Sequence, residues 1–87
     1  MPTDATKTRR KLESFMSLPV GWHYGKGGPI SPEIIDLGLR TEAMLRDAGW
    51  PETDCFPGCD GEVQVTGYRP AQGLTIAVEI TGGTYDP

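Results

Sequence analysis

The sequence predicts an α+β fold in which two N-terminal helices pack on a small antiparallel C-terminal sheet of two or three strands. Apolar residues recur at helical spacing in the first half of the chain and alternate with polar residues in the second half. Clusters of glycine and proline fall between these runs rather than within them.

The first helix is expected over Thr8 to Leu18. Leu12, Phe15 and Met16 stand three and four residues apart with Leu18 at the end of the same cluster, which leaves Arg9, Arg10, Glu13 and Ser17 in water. Pro19 stops it, because proline has no N–H to donate and biases Leu18 toward extended backbone. The next segment, Pro19 to Pro29, mixes turn formers with Trp22 and Tyr24. Ordering so many glycines costs conformational entropy, and burial of the Trp22 ring is the natural offset, its N–H reaching a backbone carbonyl.

A second helix is expected over about Pro32 to Ala48. Ser31 can cap it, Pro32 suits its first position, and Glu33 and Asp36 complement its positive end. Its buried stripe reads as Ile34, Leu37, Thr41, Met44, Leu45 and Ala48, broadened by Ile35. Gly49 supplies a left-handed stop and Pro51 prevents resumption. Beyond Trp50 the period shortens. Glu62 to Thr66 and Leu74 to Ile80 each alternate as strands, joined through Arg69 to Gly73, and the 54–56 segment is a candidate third strand. Val63, Val65, Ile76, Val78 and Ile80 should form the face that meets the helices.

The 87 residues suffice for a single domain spanning 1–87, with residues 1–6 and 82–87 expected to be flexible and Tyr85 able to fold back over the sheet. Residues 1–11 carry four basic side chains against one acid, whereas residues 12–87 carry four basic and eleven acidic ones. An acidic body disfavours duplex nucleic acid. The N-terminal residues lack the apolar core of a signal peptide and no run is long enough to span a bilayer, so a cytoplasmic protein is expected.

Little in the sequence assembles chemistry. His23 is the only histidine, and no nucleophile or metalloprotease pattern surrounds it. Gly25-Lys26-Gly27-Gly28 departs from a phosphate loop in order and lacks the following hydroxyl. Cys55 and Cys59 stand alone as a pair, short of the four ligands zinc requires. No catalytic residue, cofactor or metal is expected.

Leu18-Pro19-Val20-Gly21-Trp22, Pro29 to Glu33, and Asp60-Gly61-Glu62-Val63-Gln64-Val65 followed by Leu74 to Ile80 appear in an order that resembles a group of small uncharacterised bacterial proteins. In that group a Leu-Pro-x-Gly-Trp-Asp segment precedes a Ser-Pro-capped helix and a Val-Gln hairpin. The resemblance covers roughly Leu12 to Ile80 and implies a shared fold, while the chain's departures from the group make it a candidate phage or mobile-element relative. His23 stands where the group commonly has aspartate, and Gly67-Tyr68 where an acid-aromatic ending is usual.

These features together predict a non-enzymatic protein-binding module, an accessory or inhibitor in bacterial defence or mobile-element biology. Its contact surface is expected at Trp22, His23, Tyr24 and Lys26, assisted by Glu62 and Gln64. Alternatives are a structural homodimer formed through the last strand edge, an anti-CRISPR-type inhibitor that occupies a basic surface, and a thiol or metal-binding module.

Overall fold

The computed structural model describes residues 4–81, with side-chain surroundings from residue 6 onward. The expected flexible ends lie partly outside this span, at residues 1–3 and 82–87, and Tyr85 lies outside it too. Helix α1 runs Asp4–Ser14, tightens into a 3-10 turn at Phe15–Ser17, and is followed by α2 at Pro32–Asp47. Strands β1 (Glu52–Pro57), β2 (Val63–Arg69) and β3 (Leu74–Ile80) form one antiparallel sheet in the order β1-β2-β3. The α+β architecture of two helices against a three-stranded C-terminal sheet is therefore as the sequence predicts.

Within the sheet, Val65 pairs with Cys55 on one side and Val78 on the other, and Val63 pairs with Pro57 and Ile80. Pleat alternation then puts Cys55, Val63, Val65, Val78 and Ile80 on the helix side. Helix α1 lies over β1 and α2 lies over β2. The core comprises Leu12, Phe15, Ile30, Ile34, Ile35, Leu45, Cys55, Val63, Val65 and Ile80, with Leu18, Leu39, Trp50 and Val78 packed at its margin. Full burial of a side chain such as Leu12 or Ile35 contributes about 2 kcal/mol, so a few of these contacts outweigh every surface ion pair in the molecule.

Helix α1 starts four residues before the expected Thr8, and Met16 is exposed rather than part of the core. The tightening at Phe15 accounts for Met16, because changing from 3.6 to three residues per turn rotates later side chains off the buried face.

The larger correction concerns α2. Its buried face is Ile34, Ile35, Gly38, Glu42 and Leu45, whereas Leu37 is 46% and Met44 69% exposed and Ala48 is in solvent. Gly38 decides the difference. A Cβ there would approach Leu12 Cδ2 to 3.0 Å and Val63 Cγ2 to 3.6 Å, so α2 packs closely on α1 and β2 at a position without a side chain. A face chosen by apolar residues alone misses a contact made by glycine.

The end of α2 follows its sequence signals. Gly49 adopts φ +93°, its N–H meets the Arg46 carbonyl at 3.0 Å, and the Trp50 N–H meets the Leu45 carbonyl at 3.0 Å, a Schellman closure. Trp50 then packs over Gly67 of β2, where a Cβ would sit 3.2 Å from its ring. The Arg69 guanidinium lies 4.3 Å from the centre of the Trp50 ring and donates to the Ala48 and Gly49 carbonyls at 2.8 and 3.1 Å. β2 thereby holds the helix terminus.

The expected inward face of β3 is only partly covered. Ile80 is buried and Val78 half-buried, but Leu74 is 48% and Ile76 37% exposed. The helices cover the Val78–Ile80 end of β3 and leave its Leu74–Ile76 end open.

Glu42 has no solvent exposure. Its Oε2 accepts from Arg46 Nε at 2.8 Å and lies 2.9 Å from the Thr53 hydroxyl, which is also 3.0 Å from Thr8 Oγ1. A hydroxyl has one proton, so Thr53 donates to one of these oxygens at a time. Among the described residues Glu42 Oε1 has no hydrogen-bond donor, only the Arg9 guanidinium at 4.0 Å.

Candidate functional site

The segment between the helices is an ordered miniature hairpin. The His23 N–H donates to the Lys26 carbonyl and the Lys26 N–H to the His23 carbonyl, both at 2.9 Å, so Tyr24 and Gly25 form a two-residue turn. Both have positive φ, +53° and +87°, the signature of a type I′ turn. Glycine adopts this conformation freely; tyrosine does not, and Tyr24 is the only non-glycine with positive φ among the described residues. Below the tip the Gly21 N–H donates to the Gly27 carbonyl at 2.8 Å, and the Gly25 N–H to the Gly21 carbonyl at 3.1 Å.

Trp22 locks this base. Its Nε1–H donates to the Gly28 carbonyl at 3.2 Å, and its ring lies so close over Gly27 that a Cβ there would come within 2.6 Å of Nε1. The ring is half-buried but stands outside the apolar core, so it anchors the hairpin and not the domain. Both ends of the loop are fixed near one point, because the Ile30 N–H donates to the Phe15 carbonyl at 2.9 Å and Ile30 is buried.

Outward from this base the rings succeed one another. Trp22 and His23 centroids are 5.4 Å apart, and His23 meets Tyr24 edge-on at 5.0 Å. Tyr24 is 95% exposed. Between Glu13 and Glu33 the chain contains no acid, and Lys26 is its only full positive charge, so an aromatic, locally basic tip projects from an acidic body.

Trp22, His23, Tyr24 and Lys26 are thus one feature, whereas Glu62 and Gln64 belong to another. Glu62 precedes β2 and braces a turn, its Oε1 accepting from the Asp60 N–H at 2.9 Å beneath Gly58. Gln64 is on the outer sheet face, and both residues border a shallow depression of about 140 Å³ with Phe56 and Glu79. No residue of the hairpin borders that depression.

A larger open cavity of about 430 Å³ lies between α1 and β1, bordered by Lys7, Lys11, Glu52, Asp54 and Tyr68. One of its lysines is paired: Lys11 Nζ is 2.8 Å from Asp54 Oδ1 and 4.6 Å from the centre of the Phe56 ring. The Asp54 carboxylate also accepts from the Cys55 N–H at 2.8 Å. This arrangement places a lysine across the edge of β1.

Both cysteines are free, Cys55 buried and Cys59 half-buried. Burial pushes the Cys55 thiol up to about 12; Lys11 opposes the rise while Asp54 and Glu42 add to it. A thiol so reluctant to ionise is a poor nucleophile and a poor metal ligand. Among the described residues no three His, Cys, Asp or Glu side chains gather as a metal site, and no helix is long and apolar enough to cross a membrane. The buried Thr8–Thr53–Glu42 cluster escaped the sequence reading. The signal available for Glu42 was its spacing of seven, four and three residues from Ile35, Gly38 and Leu45.

Comparison with protein-family models, curated proteins and solved structures returns no match.

Proposed function

We propose that the chain is a non-enzymatic protein-binding module whose contact centres on the hairpin tip formed by His23, Tyr24 and Lys26, with Trp22 as its anchor. The observation that carries this reading is the placement of Tyr24, an almost wholly exposed aromatic residue held in left-handed backbone at the apex of a braced turn. Such a residue adds nothing to the core and strains the turn that holds it, and backbone strain of this kind concentrates where proteins make contacts. An ordered aromatic loses little conformational freedom when a partner covers it, which is why tyrosine is prominent at contact centres. A partner pocket that takes the ring and carries acid opposite Lys26 fits this tip.

On the same reading the protein acts in the cytoplasm, as an accessory or inhibitor in bacterial defence or mobile-element systems. Glu62 and Gln64 join the contact only if the partner extends to the outer sheet face. Affinity capture with the immobilised chain tests the proposal, with Tyr24→Asn as comparator. Proteins retained by the natural chain and lost with Tyr24→Asn are the expected result. Identical capture by both, or by neither, would overturn the assignment of the tip.

A further inference from the structure

We propose that β3 pairs edge to edge with β3 of a second copy, antiparallel about a twofold axis at Ala77, to give a continuous six-stranded sheet. The two outer strands of the sheet are treated differently, and that asymmetry carries the inference. β1 contains Glu52, Asp54 and Pro57, and Lys11 reaches from α1 across it to Asp54 and Phe56. Charge, proline and a covering side chain are the devices by which proteins block unwanted strand pairing. β3 carries one charge, Glu79, no proline, and no covering side chain among the described residues. Its sequence LTIAVEI lacks lysine, proline and glycine, and it pairs with β2 at all seven positions without a bulge. Among the described residues no strand lies on its other edge.

The strand is also self-complementary. A twofold at Ala77 sets Ile76 opposite Val78, Leu74 opposite Ile80, and Thr75 opposite Glu79 of the second copy, so its single charged residue never faces its own image. Like charges directly opposite would disfavour pairing, and apolar or β-branched pairs favour it. Seven residues give an edge about 24 Å long, enough for a full ladder of main-chain hydrogen bonds.

Uncovered apolar surface adjoins this edge. Leu74 and Ile76 lie on the helix side of β3 beyond the reach of α2. The flank of α2 that faces α1 and β1 carries Glu42 and Arg46. At 100° per residue Leu37, Thr41, Met44 and Ala48 therefore turn the other way, above β3. Leu37 and Met44 are exposed there. Pairing two β3 strands brings two such shelves together, and burying them supplies the apolar area that a strand ladder alone lacks. This surface is distinct from the hairpin, so Tyr24→Asn leaves self-association unchanged.

Sedimentation of the full chain over a dilution series from low micromolar to submillimolar tests the proposal, together with hydrogen exchange of the β3 amides. A reversible dimer whose β3 amides gain protection with concentration is expected. Ile76→Lys occurs twice in the interface and should weaken association by at least about tenfold. Ala77→Lys and Ala77→Glu, at a solvent-exposed position, should each associate more weakly alone than as a mixture, because only the mixture places opposite charges across the axis. Circular dichroism melts confirm that each variant is folded. An unsubstituted chain that stays monomeric overturns the proposal. A dimer indifferent to all three substitutions overturns it as well.

Discussion

Replacing Tyr24 by asparagine should stabilise the protein while removing the proposed contact. At φ +53° a bulky side chain costs about 1 kcal/mol relative to a residue that tolerates left-handed backbone. Asparagine followed by glycine is the favoured pair for this turn, so Tyr24→Asn recovers most of that energy. Against it stands the edge-on His23–Tyr24 contact at 5.0 Å, worth about 0.5 kcal/mol in an exposed setting. Burial contributes almost nothing, since the ring is 95% exposed. The balance is a gain of about 0.5 kcal/mol, or a melting temperature raised by about 2–4 °C for a domain of this size. Urea titration and calorimetry read the global change. If the hairpin opens locally, amide exchange at His23 and Lys26 slows about twofold instead. The adjacent Gly25→Ala should do the reverse, because alanine at φ +87° is strained although nothing lies near its Cβ. A Tyr24→Asn protein destabilised by 1 kcal/mol or more would refute the reasoning, since it would make the ring a structural contact and not a displayed one.

Glu42→Ala should cost about 2–3 kcal/mol in urea unfolding, from the cavity and the acceptor lost to Thr53; half-exposed Arg46 rehydrates and adds little. Glu42→Met, which refills the volume, should lie within about 1 kcal/mol of the natural protein, and equal loss in both variants would show the charge to be essential. Because the folded Cys55 thiol is raised from 9.0 to about 12, its protonated form favours the folded state, and that stability is fully present below about pH 9. Stability should therefore fall from pH 9 toward 12 at up to about 1.4 kcal/mol per pH unit, a slope that Cys55→Ala removes; parallel slopes in the two proteins would sink the assignment. Gly27→Ala combines strain at φ +84° with a clash against Trp22 Nε1, and should speed exchange at the hairpin amides while the core melt stays cooperative. Loss of cooperative unfolding there would place Trp22 in the core.

Local chemistry made the element order legible from the residues alone. Ser31-Pro32 opens α2 and Gly49 closes it, and the alternation of Val63-Gln64-Val65 and Leu74 to Ile80 marks β2 and β3. Such signals act within one turn or one strand pair, so no distant residue is needed to read them. The hairpin residues were legible as candidates too, because a dense set of glycines around aromatics has few other uses. The conformation that singles out Tyr24 was not, since tyrosine does not favour positive φ and only the paired hydrogen bonds of His23 and Lys26 impose it.

What tertiary structure alone decided was which surfaces are covered. Periodicity places Leu37 and Met44 on an apolar stripe, yet the face that docks is set by Gly38, whose missing side chain lets Leu12 and Val63 approach, and by Glu42, whose charge is met by Thr53 from β1 and the arginines beside it. Likewise Leu74 and Ile76 alternate as core residues, but burial requires something to lie above them, and the helices cover β3 only at its Val78–Ile80 end. Hydrophobic pattern is a property of a segment, whereas burial is a property of what packs against it, and that depends on residues far away in the chain.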